Sequence, residues 1–136
     1  MPLVSRKGIL AIAAVIDIAI HARSRPVSAK ALAARHKLPP RHLEPVLQAL
    51  VRHGILKGIR GPHGGYALAR EQRRITAEDI MRAAGSVEEE GEPPLPASPL
   101  IGGVVRPALA GAEQSFSAAL GRINVEDMAK AAEALK

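Results

Sequence analysis

PVSAKALAARHKLPPRHLEPVLQALVRHGILKGIRGPHGGYALAR, residues 26–70, contains two short helical segments, a turn between them and a basic, Gly-rich hairpin. Ser28 suits the N-cap of a first helix over residues 29–36. Residues 37–39 end that helix, and Pro40 suits the first turn of the next one. Two helices joined by a tight turn and followed by a hairpin predict a winged helix-turn-helix.

The second of these helices has a one-sided pattern and ends at Gly54. Apolar residues at i, i+3, i+4, i+7 and i+8 predict a buried face, formed by Leu43, Val46, Leu47, Leu50 and Val51. Helical geometry then places the opposite face in solvent, with Arg41, His42, Glu44, Pro45, Gln48 and Arg52. Pro45 removes one backbone hydrogen bond inside the helix, so we expect a bend and not a break.

The hairpin that follows is predicted to be the wing. Short strands are expected over residues 55–60 and 66–69, around the tip GPHGG, whose glycines permit positive φ and close backbone approach. Lys57, Arg60 and His63 surround this backbone, an arrangement that suits phosphate contact or a cation in a narrow minor groove. Tyr66 is expected to pack in the core.

The helix-turn-helix and the wing together predict a surface that binds double-stranded DNA. Arg41 is suited to donate hydrogen bonds to guanine or a phosphate, Gln48 to pair with adenine, and Glu44 to accept a hydrogen bond from the N4 amine of cytosine. The full predicted set is Ser28, Lys30, Arg41, His42, Glu44, Gln48, Arg52, Lys57, Arg60 and His63. A merely solvated face is the alternative for the helix alone, but the preceding helix, the turn and the wing favour DNA contact.

The charge of the chain is unevenly distributed. The net charge of the 136 residues is +6, yet residues 1–74 hold 14 Lys or Arg against 3 Asp or Glu, and residues 75–136 hold 5 against 10. A basic half attracts a polyanion through counterion release, whereas an acidic half must lie away from DNA. The two halves are therefore expected to have different roles.

Further helices are predicted on both sides of the helix-turn-helix. Residues 6–21 carry Ile9, Ile12, Ala13, Ile16, Ala19 and Ile20, which predicts a helix that is apolar almost all round and deeply buried. Thr76 and Asp79 resemble a capping box that starts a short helix through Ala84. Asn124 suits the N-cap of a last helix.

Three segments are predicted. Residues 1–85 form the winged helix-turn-helix domain, and residues 86–99 (SVEEEGEPPLPASP) form an acidic, Pro-rich, solvated linker. Residues 100–136 form a long dimerisation helix and a short C-terminal helix. The long helix carries an apolar stripe that has too few residues of the same chain to pack against. This predicts a homodimer interface at Leu109, Ala112, Phe116, Ala119, Leu120 and Ile123. The predicted fold class is mainly α with a small two-stranded wing.

Composition excludes several functions. The chain has no Cys, so disulfides, thiolate zinc sites, cysteine nucleophiles and cysteine-held iron–sulfur clusters are excluded. No two His residues have the i, i+4 spacing of a helical metal site, and no nucleophile has an adjacent base, so we expect no metal, no cofactor and no enzyme activity. The N-terminal apolar run is interrupted by Asp17 and is too short to span a bilayer, so a cytoplasmic protein with no membrane contact is expected.

The motifs RKG, RGPHGGY and ITAEDIMRA, in their order along residues 6–83, resemble those of the Rrf2 family of bacterial winged-helix transcription regulators. The resemblance is strong over about residues 3–85, and the wing motif is its most specific part. It implies a homodimer whose long helices cross, with two winged domains on successive major grooves, and usually a repressor. It also implies that Glu44 is the family's acidic residue in the recognition helix and Arg60 its wing arginine.

The chain departs from the family in two places. His42 and Pro45 stand where the family often has Tyr and Gln, which changes the expected operator sequence. Residues 86–99 contain none of the three Cys that cluster-binding members carry there, which excludes iron–sulfur sensing through this chain. Control by an unknown small-molecule or protein effector and constitutive binding both stay open. The alternative function is a non-specific nucleic-acid binder or a basic protein-interaction module.

Overall fold

A computed structural model describes residues 4–85, 87 and 97–135. Within them the order is α1 (Arg6–His21), α2 (Ala29–His36), α3 (Pro40–Arg52), β1 (Leu56–Ile59), β2 (Gly65–Leu68), α4 (Ala77–Ala84), α5 (Arg106–Leu120) and α6 (Val125–Glu133). A 3-10 turn at Gln72–Arg74 precedes α4, and a π-helical turn at Ile101–Val105 leads into α5. The predicted fold class, mainly α with a two-stranded wing, is confirmed.

Helix α1 lies at the centre of the fold and packs against α3, α4, α6 and β2. Most of its buried residues are small, which allows neighbouring helices to pack closely. The buried residues are Gly8, Ala11, Ala14, Val15, Asp17, Ile18 and Ala19. The predicted burial of α1 all round is wrong, since Ile9 is 55% exposed and Ala13 is exposed. Both sides of the helix are apolar, so the spacing of apolar residues does not show which side packs against the neighbouring helices.

The helix-turn-helix consists of α2 and α3, and local chemistry defines both ends of its first helix. The Oγ atom of Ser28 accepts a hydrogen bond from the Ala31 N–H at 3.0 Å, as an N-cap does. At the other end Lys37 is left-handed, with φ of 54°, and the Leu38 N–H donates to the Ala33 carbonyl at 2.9 Å. Helix α3 continues through Pro45 without a break.

The wing is an antiparallel hairpin in which Leu56 pairs with Leu68 and Ile59 with Gly65. Leu56 and Ile55 are buried in the same core as α3 and α4, whereas the outer half of the hairpin is exposed. The strands lie within one or two residues of the predicted ones, because turn residues mark their ends.

The C-terminal helix α6 returns to the winged domain. Thr76 and Asn124 cap α4 and α6 and pair with each other as an antiparallel bridge. The Ala77 N–H donates to the Ile123 carbonyl at 2.8 Å and the Val125 N–H to the Ile75 carbonyl at 2.9 Å. Val125 is fully buried in the common core, so α6 extends the core of a domain to which the sequence did not assign it.

The long helix α5 has a different environment, since none of its residues is buried. Phe116, Ala119 and Leu120, near its C-terminal end, are half-buried, whereas Leu109 is 52% exposed. Ten of the fourteen residues of the predicted solvated linker, 86 and 88–96, lie outside the described residues, so its boundaries stay a prediction.

Candidate nucleic-acid interface

The recognition helix α3 exposes one side to solvent. Leu43, Val46, Leu47, Ala49 and Leu50 are buried, and Arg41, His42, Glu44, Pro45, Gln48 and Arg52 are exposed. The helix therefore has the two faces that the apolar stripe predicts. Pro39 and Pro40 at its N-terminus have no side-chain oxygen for capping, and the His42 N–H donates to the Pro39 carbonyl at 3.1 Å.

The predicted contacts from α2 lie at its N-terminus. Ser28 is half-buried and its Oγ accepts from Ala31, so its hydroxyl hydrogen remains available as a donor. Lys30 is exposed in the first turn of the helix. Both residues belong to the predicted DNA-binding set.

The wing is held against the start of the helix-turn-helix by its backbone. Val27, immediately before the N-cap of α2, pairs with Tyr66 of β2 as an antiparallel bridge. A Cβ added at Gly65 would lie 2.5 Å from the carbonyl carbon and oxygen of Val27. Only glycine allows this approach, which explains a glycine at this position of the wing.

Tyr66 connects the wing to the recognition helix electrostatically. Burial raises the pKa of the Tyr66 hydroxyl, and the negative charge of Glu44 raises it further. Tyr66 also packs against the core, as predicted, and lines an open depression of about 310 Å³ together with Gly58, Ile59, Arg60 and Gly65. Its proximity to Glu44 has no signal in the sequence, because 21 residues separate the two.

The basic side chains of this surface are unpaired. Lys30, Arg41, Arg52, Lys57 and Arg60 are exposed, and none of them has a carboxylate of the described residues within salt-bridge distance. The four arginines that follow the wing within residues 69–85 are different, since each pairs with an acidic residue: Arg70, Arg73, Arg74 and Arg82. The positive charge of the helix-turn-helix and wing is therefore open to an external anion.

The residues of the predicted dimer interface, on α5 and just after it, fall into two groups by exposure. Leu109, Ala112 and Ile123 are exposed, whereas Phe116, Ala119 and Leu120 are half-buried. A further group of exposed apolar residues, absent from the predicted interface, precedes this stripe: Leu100, Val104 and Val105. Its signal was the apolar run LIGGVV, which the glycines interrupt.

Fold and surface together define a winged helix-turn-helix protein with a basic face whose cations have no carboxylate partner among the described residues. The Rrf2 family model, described as an iron-dependent transcriptional regulator, matches residues 4–131. The chain belongs to the Rrf2 family, which confirms the resemblance inferred from its motifs. This is a family of transcription regulators and not of enzymes.

Individual relatives agree with this assignment. The HTH-type transcriptional regulator IscR of Xenorhabdus nematophila is 32% identical over 77 residues, which are 57% of this chain and 47% of that protein. The chain spans about half the length of the curated relatives it matches.

Two solved structures resemble the whole described fold. T. potens IscR superimposes with a TM-score of 0.74 at 34% identity, covering 99% of this chain and 91% of that one. CymR, the global cysteine regulator of B. subtilis, gives a TM-score of 0.72 at 28% identity and covers 96% and 98% of the two chains.

The iron in the family description does not fit the residues of this chain. The sequence has no Cys, and the described residues contain no group of three or more His, Asp or Glu placed to hold a metal ion. No step of the function proposed below therefore passes through iron. Within the described segments, no helix has the length and hydropathy to cross a bilayer.

Proposed function

We propose that this chain is a sequence-specific, DNA-binding transcription regulator that acts in the cytoplasm as a homodimer and represses its targets. The observation that carries the proposal is the set of exposed, unpaired cations shared by α2, α3 and the wing. Such cations neutralise phosphates and release counterions, which supplies affinity for DNA of any sequence.

Sequence preference requires side chains that contact base edges. Gln48 and Glu44 lie on the exposed face of α3, between the cations Arg41 and Arg52. An amide suits adenine, a carboxylate suits cytosine, and the flanking cations set the position of the helix on the backbone. Ser28, Lys30 and His42 contribute donors near the same helix, and Lys57, Arg60 and His63 contribute them from the wing.

The exposed apolar residues support a homodimer. On α5 and the turn before it, Leu100 is 63% exposed, Val104 is 58% exposed and Leu109 is 52% exposed. On α1 the outer side consists of Ile9, Ile12, Ala13, Ile16 and Ile20, which are exposed or half-buried. Exposed apolar surface of this kind favours burial against a second copy. Two winged domains then contact two half-sites of one operator, and a bound dimer blocks access to that DNA.

The test is competition binding on genomic fragments at moderate salt. The intact chain is incubated with sheared chromosomal DNA of its own genome, retained fragments are sequenced, and one of them is titrated against a scrambled duplex of equal length and composition. We expect a preference of at least about 1,000-fold, the range of specific DNA binders. Equal affinity for both duplexes would favour the non-specific nucleic-acid binder, and no affinity for either would favour the basic protein-interaction module.

A further inference from the structure

The one charged residue in the core of the described chain is Asp17, in the middle of α1. Only 3% of its side chain is exposed. Removing a carboxylate from water is costly, and apolar residues of similar volume usually give equal or greater stability. Asp17 therefore calls for an explanation other than stability alone.

Both partners of Asp17 come from the last two residues of α2. The Arg35 guanidinium donates from Nε to Oδ2 at 2.9 Å and from Nη2 to Oδ1 at 2.8 Å, in a bidentate pair. Nε2 of His36 lies 2.7 Å from Oδ2. Because the paired donors and both carboxylate oxygens have a defined geometry, this cluster fixes direction as well as distance.

Besides this cluster, helix α2 packs against α3 and is joined to the wing through Val27, just before its N-terminus. It has eight residues, of which only Leu32 and Ala33 are buried. A helix of this length is marginal by itself, so tertiary contacts set its position. The turn into α3 starts directly after the cluster, at the left-handed Lys37. The cluster therefore lies at the junction between α2 and the recognition helix, whose other contacts include α1, α4 and β1.

We propose that Asp17 is a positioning residue for DNA reading: by holding Arg35 and His36 it locks the C-terminal end of α2 onto α1 and so directs α3 at the base edges. The proposal rests on the proposed DNA-binding function. It assigns the cluster an effect on the preference for one sequence over another, since misdirecting α3 weakens base contacts while leaving the number of phosphate contacts unchanged.

The test compares variants of the intact chain on a retained fragment and on the scrambled duplex, at a temperature where circular dichroism shows each variant folded. Arg35→Lys keeps the charge and loses the bidentate geometry. We expect it to reduce the sequence preference about tenfold, the scale of one lost base contact. Asp17→Asn should give a similar loss. His36→Gln keeps a donor and should stay near the wild type, while His36→Ala should not.

Arg73→Lys is the matched control, because Arg73 pairs with Glu71 through Nε at 2.9 Å on the exposed surface. It should leave the preference unchanged. If Asp17→Asn does not fold, Arg35→Lys and the two His36 variants decide the outcome.

Three results separate the explanations. Unchanged preference in Arg35→Lys and His36→Ala, with a wild type that discriminates between the duplexes, would overturn the positioning role and leave the proposed function intact. A loss of equal size on both duplexes in Arg35→Lys would show that Arg35 contributes to affinity for DNA of any sequence and not to the preference, and would also overturn it. A wild type without any preference would instead defeat the proposed function itself.

Discussion

Val27 and Tyr66 exchange two backbone hydrogen bonds, from the Tyr66 N–H to the Val27 carbonyl at 2.8 Å and from the Val27 N–H to the Tyr66 carbonyl at 2.9 Å. This pairing makes the residue before the helix-turn-helix a short third partner of the wing. The wing is therefore attached to the start of α2 at its second strand as well as to the end of α3 at its first. The helix-turn-helix and the wing are therefore positioned as one unit.

Gly65→Ala should destabilise the protein, because its methyl group would overlap the carbonyl of Val27. Overpacking of this kind costs about 1–3 kcal/mol in the free energy of unfolding. Urea denaturation followed by circular dichroism measures it. Gly58→Ala is the control, since a Cβ at Gly58 meets no atom within 4 Å, and its effect should stay within about 0.5 kcal/mol. Equal stability of the two variants would contradict the close approach of wing and α2.

Arg60→Ala should weaken DNA binding without changing the stability of the fold. The Arg60 side chain is exposed and unpaired within the described residues, so its loss removes charge and no core contact. The slope of log affinity against log salt should decrease by about one, the signature of one lost phosphate contact. Lys130→Ala, at an exposed cation of α6 that pairs with Glu126, should leave the slope unchanged. An unaltered slope in Arg60→Ala would remove the wing contact from the proposed interface.

Leu109→Asp should dissociate the homodimer while leaving each chain folded. Leu109 is 52% exposed in the single chain, so a carboxylate there is tolerated by the monomer but is buried unpaired between two copies. Sedimentation equilibrium should show the dimer dissociation constant raised by about 100-fold or more, since an unpaired buried charge costs several kcal/mol. Ser115→Asp adds the same charge at an exposed polar position of α5 and should change it little.

Phe116→Asp tests the same interface in a different way. Phe116 is half-buried, so this substitution should lower both dimer affinity and the thermal stability of the single chain. A dimer that survives both Phe116→Asp and Leu109→Asp, seen as an unchanged sedimentation coefficient, would place the interface elsewhere.

The stability of the fold should depend on the ionisation of Asp17. Burial by itself raises the pKa of this carboxyl, but hydrogen bonds from Arg35 and His36 and the charges of Arg35 and His21 outweigh it, so the pKa is lowered below its ordinary value of 3.8. A carboxyl whose pKa is lower in the folded chain stabilises the fold above the unfolded pKa, and that contribution is lost as the pH falls through the folded pKa.

The free energy of unfolding should therefore decrease on acidification below about pH 4, where an unfolded Asp begins to bind a proton. Asp17→Asn should lose about 1–3 kcal/mol at pH 7 and lack this part of the acid dependence, since it removes hydrogen bonds between charged groups. Denaturant titrations between pH 7 and pH 3 measure both effects. Glu113→Gln neutralises an exposed carboxylate on α5 and should retain the acid dependence; a wild-type curve parallel to that of Asp17→Asn would contradict the prediction.

The order of the elements and the two faces of α3 follow from local sequence patterns. Caps at Ser28, Thr76 and Asn124 and the apolar spacing of α3 are encoded within a few neighbouring residues, and local hydrogen bonds and side-chain direction act over that same range. Composition also determined that no thiolate is available in this chain.

Tertiary packing, and no local pattern, establishes which side of α1 is buried. It also brings Arg35 and His36 to Asp17 and forms the backbone hydrogen bond between Val125, at the start of α6, and Ile75. The physical reason is that α1 is apolar on two sides and these contacts join segments distant in the chain. Each contact forms only where several elements pack together, so no local pattern distinguishes a buried Asp17 from a solvated one. For the same reason, no local pattern distinguishes an isoleucine in the core from one that is exposed on the single chain.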